Sequence, residues 1–489
     1  MLMKSIIMTV QYLSVLLLAL VLVGCGARYD THIHTLTSDI VSAQETAQRY
    51  NLTSQWWIGY NSTGLDHTVE LALQRNVNLA RTAIAVNRAL YQARLLETDL
   101  IPAFSADVSA QTTRTFNRNN PSSAWQQTWA GGASVNYELD LWRRLHDTAD
   151  AGQWEYQATI EDLASTRLAL INSVVSSWFY LAYTGQAINI MDNVVQRYER
   201  LAELMQDKYN AGQIAVLEKL QAEQSLLAAR NDISSLHTQK AEAAQTMRDL
   251  LNLRPGEDME QEWSDLLDIP LVPVDLNVPI AALSARPDIR AAEARLQKSF
   301  KTLEADKSAW YPSISVGSTL NVSADRAYKY FDVPVLTGLV SLTLPFLNWN
   351  TLYWNIKTSE ADFETAKLDL VETVTTALNE VDAACAAYIE ARLTLEQTIA
   401  KHERNMKIAE YYRNRYESGA AEFKDYLEAQ NSADDSALSV LSAKYTLLGK
   451  ESTIYMAMGG RYVPTQRQKQ DTPPPPITPS NPDLALSLQ

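Results

Sequence analysis

The 489 residues carry 57 acidic and 42 basic side chains, a formal charge of −15, which argues against general nucleic-acid binding because phosphate contacts need a basic surface. Apolar residues make up 46% and charged ones 20%, so the chain is not globally disordered and can bury a core. At this length it forms several domains or one elongated architecture.

The first element is an export signal. Lys4 precedes an apolar run from Ile6 to Val23 that ends in Leu22-Val23-Gly24-Cys25, which predicts a secretory signal peptide over 1–24. Its last four residues resemble a bacterial lipobox, implying cleavage before Cys25, a diacylglycerol thioether on its sulfur and an acylated amine. Gly26, rather than an Asp, favours the outer membrane of a Gram-negative cell. An ordinary signal peptide or an uncleaved helix is the plainer alternative. With Cys25 lipidated, Cys385 is the one remaining thiol, and no intramolecular disulfide forms. No later apolar stretch reaches the ~20 residues of a spanning helix, so a membrane crossing here requires strands.

After an anchored N-terminal segment over 25–64, the first of two repeats is expected over 65–254. Phe104, Ala106, Val108 and Ala110 alternate with mostly polar neighbours, as do Ala133, Val135, Tyr137 and Leu139, predicting strands at about 103–114 and 129–140 around a polar loop, Thr115 to Gln127. The stretch from Ser122 to Arg254 lacks proline, and Leu170, Val174, Leu181, Ile188, Met191, Val195 and Met205 fall on a heptad seam. A helix over 142–209 would be about 100 Å long at ~1.5 Å per residue. Gly212 supplies its stop, a tip spans 209–216, and a second helix continues to 252.

An equatorial linker over 255–284 leads to the second repeat, 285–460. Ile314, Val316, Leu320 and Val322 share one face, and Val340, Leu342, Leu344 and Phe346 another, predicting strands at about 313–323 and 336–346 around the loop Ser323 to Pro334. A helix over 350–417, a tip over 416–423 with Gly419, and a helix to 457 follow. The Pro-rich tail, 461–489, contains Pro473 to Pro476 and cannot continue the helix. The repeat is written in the residues: Pro102 with Pro312, Trp142 with Trp349, and the tips YNAG and YESG. Trp142, Trp310, Tyr311, Trp349, Tyr353 and Trp354 are placed at strand ends, as in an interfacial belt; a soluble hairpin with core aromatics is the alternative. Four strands cannot close a barrel and open edges do not survive in lipid. Three copies would give twelve strands.

Together, Ala285-Arg286-Pro287-Asp288-Ile289-Arg290, the segment Tyr137 to Trp142, Leu344-Pro345-Phe346 and the two Tyr-x-x-Gly tips resemble the trimeric outer-membrane efflux channels of the TolC type, in the lipoprotein multidrug (NodT-like) branch. The match runs from about Trp56 to Gly460. Arg143, and Trp349 with Asn350, stand where the family often has Gly, which puts the local strand-to-helix bends in doubt. The resemblance implies an α+β membrane protein: a trimeric twelve-stranded outer-membrane β-barrel, continued by a periplasmic α-helical coiled-coil barrel, with a mixed equatorial domain.

The resemblance also implies a passive duct for drugs or other small molecules in a tripartite efflux system. Its partners would be a homotrimer, a periplasmic adaptor docking on the tips at Gly212 and Gly419, an inner-membrane pump of the RND, ABC or MFS type, and outer-membrane lipid. At its periplasmic gate, Asp425 matches an acidic ring and Glu428 lies on the same helix face. Tyr416 and Glu218 match tether residues, and Ala421 replaces the usual basic partner, leaving Lys424 and Lys219 as candidates by proximity. Asp425 and Glu428 otherwise read as a solvated helix face. No enzyme is expected, because no phosphate loop, G-x-S-x-G or H-E-x-x-H is present. No cofactor or metal is expected beyond the lipid on Cys25; the pair His32 and His34 has no ligand cluster beside it. The competing function is a lipid-anchored periplasmic coiled-coil scaffold without a pore.

Overall fold

The structure is a computed structural model that describes residues 52–53, 55–114, 125–257, 259, 265–272, 274, 280–324 and 334–462. The signal segment, Cys25, His32, His34 and residues 463–489 of the Pro-rich tail lie outside the described residues. Four strands form one antiparallel sheet in sequence order: β1 (Ala103–Arg114), β2 (Trp125–Leu139), β3 (Ser313–Ala324) and β4 (Pro334–Thr343).

The register sorts the sheet by polarity, because strand side chains alternate between faces. Asp107 faces Gly132, Gly132 faces Asn321, and Asn321 faces Val335. Ser105, Ser134, Thr319 and Thr337 line up beside them, so this face is mostly polar. Phe104, Val135, Val108, Val316, Val340, Leu320 and Leu336 fall on the other face, and Phe104, Val108, Leu336 and Val340 are exposed there. Gly132 sits in a tight place: a Cβ would come within 3.0 Å of Asn321 Oδ1 and 3.1 Å of Asp107 Oδ1, so those two side chains would have to give way by a few tenths of an ångström. The outer edges of β1 and β4 pair with no described strand.

Two ends differ from the sequence expectation. Strand β2 starts at Trp125, inside the expected loop, because Arg114 to Thr112 pair with Trp125 to Gln127; Gln126 and Gln127 read as loop only because both faces are polar there. Strand β4 ends at Thr343, and Pro345–Asn348 is a 3-10 turn, since Pro345 has no N–H for the ladder.

The helices are α1 (Thr63–Arg75), α2 (Val77–Glu97), α3 (Arg144–Asn210), α4 (Val216–Leu251), α5 (Pro287–Ser308), α6 (Trp349–Glu417) and α7 (Phe423–Ala457). Local chemistry starts them: Ser62 caps α1, Asn76 caps α2, and Pro287 occupies the first turn of α5. Helix α3 has 67 residues and α6 has 69, each about 100 Å of helix at ~1.5 Å per residue. None of the described helices is long and apolar enough to cross a membrane.

Helix α3 packs against α2, α4, α5 and α7, whereas α6 packs chiefly against α5 and α7. The seams record this difference. Leu170, Val174, Leu181, Ile188, Met191 and Met205 of α3 are buried, but Leu378, Ile399 and Met406 of α6 remain exposed.

The two strand-to-helix bends use different devices. Arg143 adopts φ +62, the left-handed region that glycine enters without strain. Asp140 then accepts from Leu145 N at 3.1 Å and His146 N at 2.8 Å, satisfying the first turn of α3. At the second bend the 3-10 turn runs straight into α6 at Trp349. Trp142 stacks on Tyr311 with centroids 4.8 Å apart and donates from its indole to Pro312 O at 2.8 Å, joining the repeats at the sheet end. Trp349, Tyr353 and Trp354 lie in α6 and not on a strand.

The Arg-Pro-Asp stretch is a hub. Buried Arg286 donates to Asp288 at 2.6 Å, to Glu380 of α6 at 2.8 Å and to Ala457 O at the end of α7 at 2.5 Å. Burial opposes the charge on Asp288, yet the Arg286 hydrogen bonds hold its carboxyl below the usual range. Buried Lys444 of α7 likewise donates to Ile269 O at 2.7 Å, and Glu451 accepts from Val272 N at 2.9 Å, fixing the 265–272 segment against α7.

Candidate functional site

The turns at the far ends of α3 and α6 are built alike. Gly212 has φ +70 and Gly419 φ +72; each closes its helix by donating to the tip tyrosine carbonyl, Tyr209 O at 2.9 Å and Tyr416 O at 3.0 Å. The following residue reaches one residue further back, Gln213 N to Lys208 O and Ala420 N to Arg415 O. This paired closure requires a left-handed residue, which is why both tips carry glycine.

Tyr416 is the residue that joins the two hairpins. Its ring stacks on Tyr426 of α7, with centroids 5.5 Å apart and planes 6° off parallel, and packs at 5.6 Å on Phe423. Lys208, at the end of α3, donates to its hydroxyl at 3.0 Å and lies 5.1 Å from its ring centroid. The cation on Tyr416 is therefore Lys208, neither Lys424 nor Lys219. Lys424 pairs with Glu428 at 3.7 Å. Lys219 pairs with Glu223 at 3.6 Å and lies over the Tyr209 ring at 5.5 Å.

Lys208 escaped the sequence reading because spacing does not reveal which helix ends face one another. The signal was nonetheless present: a basic residue precedes each tip tyrosine, Lys208 before Tyr209 and Arg415 before Tyr416. Arg415 donates to Tyr411 OH at 3.0 Å and to Ala420 O at 2.7 Å, covering the backbone beside Ala421. The Tyr411 hydroxyl, with Asp425 among the lesser influences, raises the Arg415 guanidinium above its ordinary value.

The acidic residues divide by environment. Asp425 and Glu428 are both exposed on α7, and Asp425 forms no ion pair among the described residues, while Glu428 is partly compensated by Lys424. Glu218 lies in the first turn of α4, where the helix dipole favours a carboxylate. Its Oε2 is shielded from solvent and accepts no hydrogen bond from the described residues. Among the described residues no cluster of His, Cys, Asp and Glu is arranged to hold a metal ion.

Above the tips, α3 and α7 share a polar cluster that sequence spacing did not reveal. Arg197 pairs with Asp434, and the Tyr198 hydroxyl donates to Asn431. Burial pushes the Asp434 carboxyl above the usual range, with Arg197 opposing the rise. A raised carboxylate pKa contributes stability at low pH that is lost as pH rises through it, so Arg197 matters most when Asp434 is ionised. Arg197→Met is expected to destabilise the protein by about 1–2 kcal/mol at neutral pH, discounted for the partial exposure of Arg197. The loss should shrink near pH 4, and thermal melts in detergent at the two pH values check it.

Comparison with known proteins adds the following. The model of the outer membrane efflux protein family matches residues 68–253 and 278–460. Toxin and drug export protein A of Aggregatibacter actinomycetemcomitans is 36% identical over 447 residues, covering 91% of this chain and 97% of the relative. An uncharacterized protein of Haemophilus influenzae is 38% identical over 448 residues, covering 92% and 98%. Among solved structures, the CmeC outer membrane channel of Campylobacter jejuni superimposes with a TM-score of 0.78 at 22% identity, over 84% of this chain and 89% of that one.

Proposed function

The chain belongs to the outer membrane efflux protein family, and from that premise we propose that three copies of it close into one passive export duct with a gate at the helix tips. It is an outer-membrane channel component of efflux systems, located in the outer membrane and extending into the periplasm. The observation that carries the trimeric duct is the sheet. One face is apolar and exposed, the other mostly polar, and neither outer edge pairs with a described strand. In lipid such edges need partners, and four strands from each of three copies make a twelve-stranded wall of the kind outer-membrane barrels use. A scaffold without a pore has no use for this sheet.

In the duct, threefold symmetry turns Asp425 into a ring of three carboxylates, with Glu428 a turn away. Converging negative charge attracts cations and repels anions. Lys208 on Tyr416 holds the two hairpins of one copy together and favours the closed tip. The Oε2 atom of Glu218, shielded and without a donor among the described residues, takes one from the adjacent copy. The tips at Gly212 and Gly419 receive a periplasmic adaptor, which links the duct to an inner-membrane pump of the RND, ABC or MFS type. The pump supplies the energy, and the duct itself needs no cofactor. Cys25 carries the lipid anchor. The name of the Aggregatibacter relative supports drugs or toxins as cargo.

Native mass spectrometry of the detergent-solubilised mature protein tests the reading. A mass of three chains, each with its lipid, supports it. A monomer at micromolar concentration contradicts it.

A further inference from the structure

The four strands hold three charged side chains, and the register separates them by sign. Asp107 faces Gly132 and Glu138 faces Ser315, both on the mostly polar face. Arg114 faces Trp125, in line with Phe104, Val108 and Ala110 on the apolar face. Among the described strand residues it is the one charge on the side that a barrel turns towards lipid.

Its height in the membrane follows from the strand. Helices α2 and α3 join the sheet near Ala103 and Leu139, so that end faces the periplasm and Arg114 lies at the opposite, outer end. From Ala103 to Arg114 the strand runs about 37 Å at ~3.4 Å per residue, or about 29 Å of height at the ~40° tilt of outer-membrane barrels. The apolar band of such barrels is about 25 Å tall. Arg114 therefore stands just beyond the outer rim of the band, at the level of the outer-leaflet headgroups. A lipid-facing arginine is strongly destabilising at mid-membrane and scarcely so at the interface, which is why this position tolerates one.

The neighbouring side chains suit an anion. The Arg114 guanidinium lies over the Trp125 ring, 5.4 Å from its centroid. On the same face Gln127 stands opposite Thr112, and Trp129 opposite Ala110; Thr112, Arg114, Trp125 and Gln127 are exposed. A guanidinium, an amide and a hydroxyl are thus gathered beside two indoles at headgroup depth. Pairing of the β1 edge with the next copy uses backbone groups and leaves this face to the lipid.

We infer that this patch binds the phosphate of an outer-leaflet glycolipid. Arg114, Gln127 and Thr112 donate to the phosphate oxygens, and the planar guanidinium matches two of them at once. Trp125 and Trp129 pack on the sugar and the upper part of the acyl chains, as tryptophan does at membrane interfaces. The chain's net charge of −15 supplies no general attraction for an anionic surface, so the affinity depends on where this cation stands. The inference rests on the barrel reading above and names the lipid that the wall holds at its outer rim.

The test is native mass spectrometry of detergent-solubilised mature trimers titrated with diphosphorylated lipid A, and with the same glycolipid stripped of both phosphates. The wild type is expected to retain the phosphorylated form about tenfold better, one charge-assisted contact being of that size. Millimolar inorganic phosphate should not displace it, because the free ion lacks the sugar and acyl contacts. Arg114→Gln should weaken retention about tenfold and Arg114→Lys about threefold, since lysine keeps the charge without the fork. Asp107→Asn, on the opposite face, should leave it unchanged. Equal retention of the two glycolipids, equal retention by the wild type and Arg114→Gln, or displacement by inorganic phosphate overturns the lipid site while the three-chain mass keeps the barrel. A monomeric mass removes both.

Discussion

Replacing Lys208 by Met and Tyr416 by Phe is expected to open the duct. The pair removes the 3.0 Å hydrogen bond and the cation over the ring while keeping the volume of both side chains and the stacking of ring 416 on Tyr426. A half-buried contact of this kind contributes about 1 kcal/mol. Three copies acting together shift the closed-to-open balance by about 3 kcal/mol, roughly two orders of magnitude in open probability. Single-channel recording checks this, and unit conductance should stay unchanged because the pore wall is untouched. Lys424→Met is the control: its partner is Glu428 on its own helix, so its removal should leave the open probability as it was.

The second large effect concerns charge. Asp425→Asn with Glu428→Gln should abolish cation preference and weaken block by a trivalent cation about a hundredfold. Three carboxylates about 6 Å from a trivalent ion in water-like surroundings give roughly 6 kcal/mol, cut by about half at physiological ionic strength. The double change is read from reversal potentials in a salt gradient and from the blocking concentration. Asp425→Asn alone should account for most of it, because Lys424 lies 3.7 Å from the Glu428 carboxylate and already offsets part of its charge. An equal effect from Glu428→Gln alone would move the constriction one turn along α7.

These two predictions differ in how far the sequence anticipated them. The four strands were legible because period-two alternation is imposed by the sheet itself, and the register separates Phe104, Val135, Leu320 and Leu336 from Ser105, Ser134, Thr319 and Thr337. The start of β2 was not, since Gln126 and Gln127 carry no polarity contrast. Likewise the glycine tips follow from local backbone geometry and are written locally, as Gly212 and Gly419. Lys208 on Tyr416 joins residues far apart in sequence, so it depends on how α3 and α6 are aligned, which no spacing rule encodes. Arg197 with Asp434 is another such pair. Arg143 shows the reverse case, in which a bend survives a non-glycine residue because Asp140 satisfies the first turn of α3.

The heptad comparison carries a further lesson. The seam of α3 is filled from both sides by its own chain, whereas Ile399 and Met406 of α6 are bare. A seam interrupted in sequence by Arg392 and His402 is therefore less a weaker helix signal than a helix whose surroundings are shared. His402 itself hydrogen-bonds Ser436 of α7 at 2.9 Å, which places one interruption inside the chain's own packing.

The most direct test of a gated passive duct is single-channel recording of the purified mature protein in planar bilayers, with millimolar trivalent cation added to one side at a time. The account predicts discrete, cation-selective openings that are blocked from the side carrying the helix tips and not from the other. Silence from the wild type, and equally from the chain carrying Lys208→Met, Tyr416→Phe, Asp425→Asn and Glu428→Gln, would contradict it and leave the helical hairpins as a scaffold without a pore.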